Sequence, residues 1–151
     1  MARRTQKLPL AITRRLKQAR VAHLATVGAD QCPHIVPICF AYDGKAFYTA
    51  IDHKPKRAVP QRLTRVRNIH TRPHVALLID HYEDDWTRLW YALIRGKAKL
   101  VPATDRRQRA SALRRLRAKY PQYARGMLVD EAPIICVRPE QTIWWAAENY
   151  L

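Results

Sequence analysis

The feature that most constrains the fold is a series of short apolar segments separated by turn residues. Each has the length of a strand, and none approaches the roughly 20 apolar residues that a membrane span requires. The segments are residues 21–27, 34–42, 46–51, 74–82, 89–101, 132–137 and 142–146. Asp43-Gly44 is a strong hairpin signal, and Gly96 predicts a bulge or bend. The pattern predicts a closed or nearly closed antiparallel barrel whose first three strands form a meander.

Three amphipathic segments interrupt the strands and predict helices. The first helix begins near Pro9, the second covers residues 59–69, and the third covers residues 105–120. Their expected buried positions are Leu8, Ile12 and Leu16; Leu63, Val66 and Ile69; and Ala112, Leu113 and Leu116. We therefore expect one domain over residues 1–151, of the mainly β class with inserted helices.

The charge balance is strongly basic, with 28 Lys and Arg against 12 Asp and Glu, a formal net charge of +16. This favours anionic partners such as phosphate cofactors, nucleic acid or acidic membrane surfaces. Most of the cations fall on predicted helices or beside them, which is typical of solvated faces. Residues 105–119 contain no aromatic side chain between the cations, which argues against a nucleic-acid surface. No signal-like apolar segment follows the basic N-terminus, so we expect a cytoplasmic protein without a membrane segment.

The usual chemical motifs are absent from the sequence. Cys32, Cys39 and Cys136 are too few and too scattered for a disulfide framework or a four-ligand zinc site, so no metal is expected. There is no glycine-rich phosphate cradle and no nucleophile elbow, and the sequence leaves the catalytic residues unknown. His23 and His34 lie on adjacent predicted strands. We interpret them as buried structural histidines, with haem ligation as a remote alternative.

The most informative segment is Lys54-Pro55-Lys56-Arg57, directly after the third predicted strand. Three cations within four residues can clamp a phosphate, and Thr49 can add a hydroxyl donor. Pro55 stiffens the segment and so reduces the cost of ordering it. The spacing alone leaves a solvated basic loop as the alternative.

The order of these segments resembles the pyridoxamine 5'-phosphate oxidase-like family, the flavin- and deazaflavin-binding split barrels. The resemblance runs from about Ala19 to Val101. The residues that carry it are 22–28, 33–37, 47–52, 54–57, 67–69, 73–78 and 80–86. The Lys-Pro-Lys-Arg segment and the run from Asp85 to Trp90 are similar to a subgroup of probable coenzyme F-420-dependent enzymes.

The resemblance implies a split β-barrel of about six to seven antiparallel strands that forms a homodimer, with two cofactor sites between the barrels. It also implies an oxidoreductase that transfers hydride through its cofactor. The resemblance implies four groups of cofactor contacts. The backbone of Ile35, Val36, Pro37 and Ile38 would line the ring edge, and Tyr48 and Thr49 would lie under the ribityl chain. Lys54, Lys56 and Arg57 would hold the phosphate, and the partner subunit would contribute Trp86, Trp90 and Trp144-Trp145.

Two cofactors fit the resemblance, coenzyme F-420 and FMN. We favour the deazaflavin, because its acidic tail suits the basic residues Arg62, Arg65 and Arg67. The substrate-gripping C-terminal Arg and His of true pyridoxamine phosphate oxidases have no counterpart in residues 146–151, so vitamin B6 oxidation is not expected and the substrate stays open. A non-catalytic flavin, deazaflavin or haem carrier is the main alternative, and a nucleic-acid-binding protein a remote one.

Overall fold

The computed structural model describes residues 7–52 and 63–149 of the chain. Its helices are α1 (Leu10–Gln18), α2 (Thr64–Thr71) and α3 (Arg106–Lys119). Its strands are β1 (Ala22–Val27), β2 (Pro33–Ile38), β3 (Ala41–Tyr42), β4 (Phe47–Ala50), β5 (His74–His81), β6 (Trp90–Leu100) and β7 (Ile134–Ala146). Single helical turns lie at Trp86–Arg88, Tyr123–Met127 and Ala147–Asn149. No described helix is long and apolar enough to cross a bilayer.

The seven strands form one antiparallel sheet in the order β2-β1-β5-β6-β7-β4-β3. The longest pairing joins β6 to β7, from Trp90 opposite Ala146 to Leu100 opposite Ile135. The sheet curls into a half-barrel around a core to which six of the strands and two helices contribute. The expectation of a mainly β split barrel with six to seven antiparallel strands is therefore confirmed.

The predicted meander of the first three strands is wrong. The segment 34–42 is broken at Cys39 and Phe40, so β2 lies at one edge of the sheet and β3 at the other. The backbone of Phe40 finds its hydrogen bonds elsewhere: its N–H donates to the Tyr120 hydroxyl at 3.0 Å, and its carbonyl accepts from Lys119 Nζ at 2.9 Å. Because the end of α3 satisfies these groups, the chain can leave one edge and start the other.

The last two predicted strands, 132–137 and 142–146, form the single strand β7, which runs through Pro139. Pro139 lies opposite Gly96, where the register of β6 shifts, and the bulge predicted at Gly96 is confirmed. A Cβ atom at Gly96 would lie 2.1 Å from the carbonyl oxygen of Arg138, so the two strands approach closely only because this position is glycine.

Helix α2 ends at Thr71 rather than at residue 69, and its predicted start at residue 59 lies outside the described residues. The predicted apolar faces of the helices are mostly confirmed. Leu8 and Leu63 are half-buried, and the other seven positions are buried, namely Ile12, Leu16, Val66, Ile69, Ala112, Leu113 and Leu116.

The chain has two apolar cores, one on each side of β4. The larger fills the half-barrel beneath α1 and α2, and the smaller lies between α3 and the strands β4 and β7. All four residues of β4 are consequently buried. This strand delivers the chain from the interior to Asp52, directly before the segment that carries the predicted phosphate-binding residues.

Candidate functional site

The end of β4 is fixed by backbone and side-chain contacts. Ile51 N–H donates to the carbonyl oxygen of Pro133 at 2.9 Å. Asp52 is 8% exposed, and the Tyr123 hydroxyl donates to its Oδ2 at 2.6 Å. Burial raises the pKa of Tyr123, and the hydrogen bond to Asp52 raises it further, so the phenol stays protonated and acts as a donor. The residues predicted to hold the phosphate, Lys54, Lys56 and Arg57, lie outside the described residues, as does Arg62.

Arg65 lies in the first turn of α2, near this pair. Burial lowers the pKa of Arg65, and the negative charge of Asp52 opposes that shift. Its Nε is buried and has no hydrogen-bond partner among the described residues. A buried carboxylate is stable only when donors and a positive charge compensate it. Asp52 therefore ties the end of β4 to the turn that carries Tyr123, and the positive charge of Arg65 on α2 favours its ionised form.

A polar cavity of about 490 Å³ opens between α2 and the turn that joins β1 to β2. Its lining includes His34, Thr64, Arg67, Asn68 and Thr71. A volume of this size is within the range of small-molecule sites. Arg67, which is expected to contact the acidic tail of the cofactor, lines this cavity together with the start of β2, whose backbone is expected to line the cofactor ring.

His34 is the unusual group in this cavity. It pairs with Thr26, whose side chain points inward, and its Nδ1 is buried without a hydrogen-bond partner among the described residues. Asn68 Nδ2 donates to Thr26 Oγ1 at 2.9 Å, so these two neighbouring polar groups are hydrogen-bonded to each other. A buried, unpaired imidazole nitrogen beside a polar cavity is a ready partner for a ligand or an ordered water.

The turn between β1 and β2 forms the mouth of the cavity. Cys32 N–H donates to Asp30 Oδ1 at 3.0 Å, and hydrogen bonds of this kind lower the pKa of Asp30. The same carboxylate raises the pKa of the Cys32 thiol, while burial raises that of Cys136. Neither thiol is activated as a nucleophile. No cluster of three or more His, Cys, Asp or Glu side chains suited to a metal ion occurs within residues 7–52 and 63–149.

Strand β2 carries the four residues predicted at the ring edge. Ile35 and Pro37 face outward, Ile35 being 64% exposed, whereas Val36 and Ile38 face inward. Within the described residues β2 pairs only with β1, so the backbone of its other edge is unpaired in the sheet. An edge backbone of this kind can hydrogen-bond a bound ring. The structure is compatible with the predicted backbone contacts, which stay a prediction.

Tyr48 and Thr49, which are predicted to lie under the ribityl chain of the cofactor, are buried inside their own subunit. They are only 7% and 4% exposed. Tyr48 lies beneath α3, where Gln108 Nε2 donates to its hydroxyl at 3.4 Å. The sequence could not reveal this, because the covering helix lies some 60 residues further along the chain.

The two tryptophans of the predicted partner contact separate in the structure. Trp90 belongs to the larger core, with the Arg15 guanidinium 5.8 Å from its ring centroid. Trp86 is 68% exposed on a single helical turn, which is capped by Asp85 Oδ1 accepting from Thr87 N–H. Trp144 and Trp145 are half-buried on β7. Trp86 is thus available for contact with a second subunit, whereas Trp90 is almost fully enclosed by its own chain.

A feature that sequence reasoning missed is a continuous row of outward-facing side chains across five strands. Cross-strand pairing places its members side by side, in the order Pro37, His23, Leu78, Leu93 and Ile143. We call it the outer row. Leu78 on β5 and Ile143 on β7 are 39% and 38% exposed. The signal was confined to single positions, because other outward positions of the same strands are charged, such as Asp80, Arg95 and Lys97.

The curled seven-stranded sheet, the helices packed against it and the edge strand beside the cavity define the class of protein as a split β-barrel. A family model described as pyridoxamine 5'-phosphate oxidase matches residues 8–146, and the chain belongs to the pyridoxamine 5'-phosphate oxidase-like family. No curated protein matches the sequence.

Several solved structures have the same fold at low sequence identity. An F420 reductase superposes with a TM-score of 0.65 at 24% identity, covering 90% of this chain and 98% of that one. An FAD-binding protein from Mesorhizobium loti gives a TM-score of 0.64 at 19% identity, with 89% and 90% covered. HutZ, a haem storage protein from Vibrio cholerae, gives 0.69 at 16% identity, with 93% and 95% covered. These similarities show the fold of the chain.

Proposed function

We propose that the protein is a flavin- or deazaflavin-dependent oxidoreductase that transfers hydride between a reduced cofactor and a small organic substrate. The observation that carries the proposal is the polar cavity at the end of edge strand β2, where an unpaired His34 nitrogen and Arg67 meet in a chain of this family. Relatives of the same fold include an F420 reductase and an FAD-binding protein, which supports a cofactor of this chemical class.

The cofactor is held mainly through its phosphate. Lys54, Lys56 and Arg57 bind that group, and the backbone of β2 from Ile35 to Ile38 lines the ring. The ring supplies the hydride chemistry, and the chain binds it, orients it and excludes water. Coenzyme F-420 is the favoured cofactor, because Arg67, which is exposed in the cavity, offers positive charge to its acidic tail beyond the phosphate.

The active form is a homodimer in the cytoplasm, joined across the outer row by a second copy of the same chain. Four of the five members of the outer row are apolar, which is unusual on an otherwise charged surface. A formal charge of +16 on each chain opposes association, and apolar contacts at the centre of the interface would offset that repulsion. A two-fold contact between identical rows supplies them.

A non-catalytic carrier is the second candidate, and haem is the cofactor that one observation favours. A haem storage protein has the same fold, and His34 has a buried nitrogen with no hydrogen-bond partner in the described residues. Such a nitrogen is also suited to ligate iron. His23 is exposed in the outer row and is the alternative ligand.

The test is a fluorescence and absorbance titration of the purified protein with coenzyme F-420, FMN and haem in turn. We expect saturable binding of F-420 or FMN at micromolar or lower concentration. Lys56→Ala with Arg57→Ala should weaken it, since charge-assisted hydrogen bonds contribute about 1.5–3 kcal/mol each. Arg14→Ala with Lys17→Ala, an equal charge change on exposed positions of α1, should leave it nearly unchanged.

Two results would contradict the proposal. Tight binding of haem with no binding of either flavin-type cofactor would favour the carrier. Equal loss of affinity in the two double variants would show a diffuse effect of charge and no specific phosphate contact.

A further inference from the structure

The outer side of α3 carries a groove of about 560 Å³ that none of the predicted cofactor residues lines. Four arginines surround it: Arg106, Arg109, Arg114 and Arg117. Ala110 and Leu113 form an apolar floor, on the same helical face as Arg106 and Arg117. We call this feature the arginine groove. Its volume is within the range of small-molecule sites.

Two of the four guanidinium groups are held in place by acceptors outside the helix. Arg109 Nη2 donates to the carbonyl oxygens of Asp130 and Ala132 at 2.8 and 2.9 Å. Arg117 Nη2 donates to the carbonyl oxygen of Leu128 at 2.8 Å and to Asp130 Oδ1 at 2.7 Å. Each group uses one nitrogen and leaves its remaining N–H donors for another acceptor. Because the fold already orders these two long side chains, a ligand that binds them causes a smaller loss of conformational entropy.

The other two guanidinium groups of the groove, those of Arg106 and Arg114, are exposed and form no ion pair within the described residues. Asp130 is the single acid among the lining residues that the structure describes. Arg106 and Arg114 lie eight residues apart on α3, about 12 Å along its axis. An anion of more than one charge can therefore reach the free arginines and the held ones together.

The sequence of α3 places like charges close together. The N-terminus of the helix is capped by Asp105, whose Oδ1 accepts from Gln108 N–H at 3.1 Å. Arg106 and Arg109, and again Arg114 and Arg117, are like charges three residues apart on the helix surface. An anion in the groove would relieve this repulsion.

The lining indicates which anion fits. All four cations are arginines, whose planar fork matches the oxygens of a phosphate group better than an ammonium does. The floor is narrow and apolar and contains no aromatic ring, so unpaired bases have nothing to stack on. We propose that the arginine groove binds a phosphorylated small molecule of nucleotide size, at a site separate from that of the flavin-type cofactor.

The experiment is calorimetric titration with adenosine triphosphate and with inorganic pyrophosphate of the protein carrying Lys56→Ala and Arg57→Ala, in which two of the proposed flavin-phosphate contacts are removed and the groove is left free. Arg106→Ala with Arg114→Ala removes the two free arginines of the groove. Arg107→Ala with Arg115→Ala is the matched control, because it removes equal charge from exposed positions of the same helix that do not line the groove. Circular dichroism verifies that both variants are folded.

We expect one saturable site per chain for adenosine triphosphate, with affinity reduced about tenfold or more in the groove variant and less than about threefold in the control. Absence of saturable binding, or equal losses in both variants, would overturn the proposal. A single-stranded oligonucleotide that binds more tightly than adenosine triphosphate would overturn it in favour of a nucleic-acid surface. The comparison between the variants holds whether or not the cofactor proposal is correct.

Discussion

Lys119, at the end of α3, is a half-buried cation that is held by a backbone carbonyl group and an aromatic ring. Its Nζ donates to the carbonyl oxygen of Phe40 at 2.9 Å and lies 3.8 Å from the centroid of the Phe40 ring. Burial, followed by the positive charge of Arg20, lowers the pKa of Lys119 to about 8. Hydrogen bonding to the carbonyl and the face of the ring compensate part of this loss.

The lowered pKa predicts a pH dependence of stability. Between about pH 8 and the ordinary lysine pKa near 10.5, the unfolded chain binds a proton at Lys119 that the folded chain does not. Stability contributed by this site should therefore rise as the pH increases through that window. Urea unfolding at pH 7.5 and 9.5 measures it: the free energy of unfolding of the wild type should rise relative to that of Lys119→Met. A constant difference between the two proteins would contradict the assignment.

Elements β6 and β7 form the centre of the sheet, and their close approach depends on one glycine. The bulge between Arg95 and Gly96 lets Pro139, which has no N–H to donate, lie inside a strand. The carbonyl oxygen of Arg138 occupies the space that a side chain at position 96 would need.

Gly96→Ala should therefore destabilise the fold by about 1–3 kcal/mol, because the added methyl group forces the backbone of β7 outward. Lys97→Ala, at the adjacent exposed position, is the control and should change stability by less than about 0.5 kcal/mol. Chemical unfolding monitored by circular dichroism measures both. An unchanged midpoint for Gly96→Ala would show that the strands are further apart than described.

The pattern of apolar residues along the sequence predicts most of the helices and strands but little of the geometry of the site. Alternation of apolar residues was sufficient for β1, β5 and β6, since each has one face in the core. It failed at Phe40, whose backbone partners Lys119 and Tyr120 lie about 80 residues away. The local pattern also does not reveal that Tyr48 is buried beneath α3, because that burial is a property of the tertiary fold.

At the scale of the whole molecule, the outer row and the arginine groove belong to different parts of the same outward side of the sheet. The outer row crosses β2, β1, β5, β6 and β7. Lys99 of β6 faces the same side as Leu93 and lies opposite Cys136, which belongs to the core beneath α3. A second copy bound at the outer row must therefore leave room for α3 beside β4 and β7.

A charge in the outer row should convert the proposed dimer into a monomer. We expect sedimentation or light scattering to give a dimer for the wild type and a monomer for Leu78→Arg. Leu10→Arg is the matched control, since Leu10 is 74% exposed on α1 and outside the row, and it should remain dimeric. A monomeric wild type, or dissociation in both variants, would contradict the assignment of the interface.

The central claim is that the protein binds a flavin-type cofactor through its phosphate, and a paired titration with FMN and riboflavin tests it most directly. The two ligands share the ring and the ribityl chain and differ only in the phosphate. We predict that FMN binds at least about a hundredfold more tightly, since the contacts of Lys54, Lys56 and Arg57 with the phosphate, each of about 1.5–3 kcal/mol, are lost with riboflavin. Equal affinity for the two, or no binding of FMN and F-420 alike, would contradict the account.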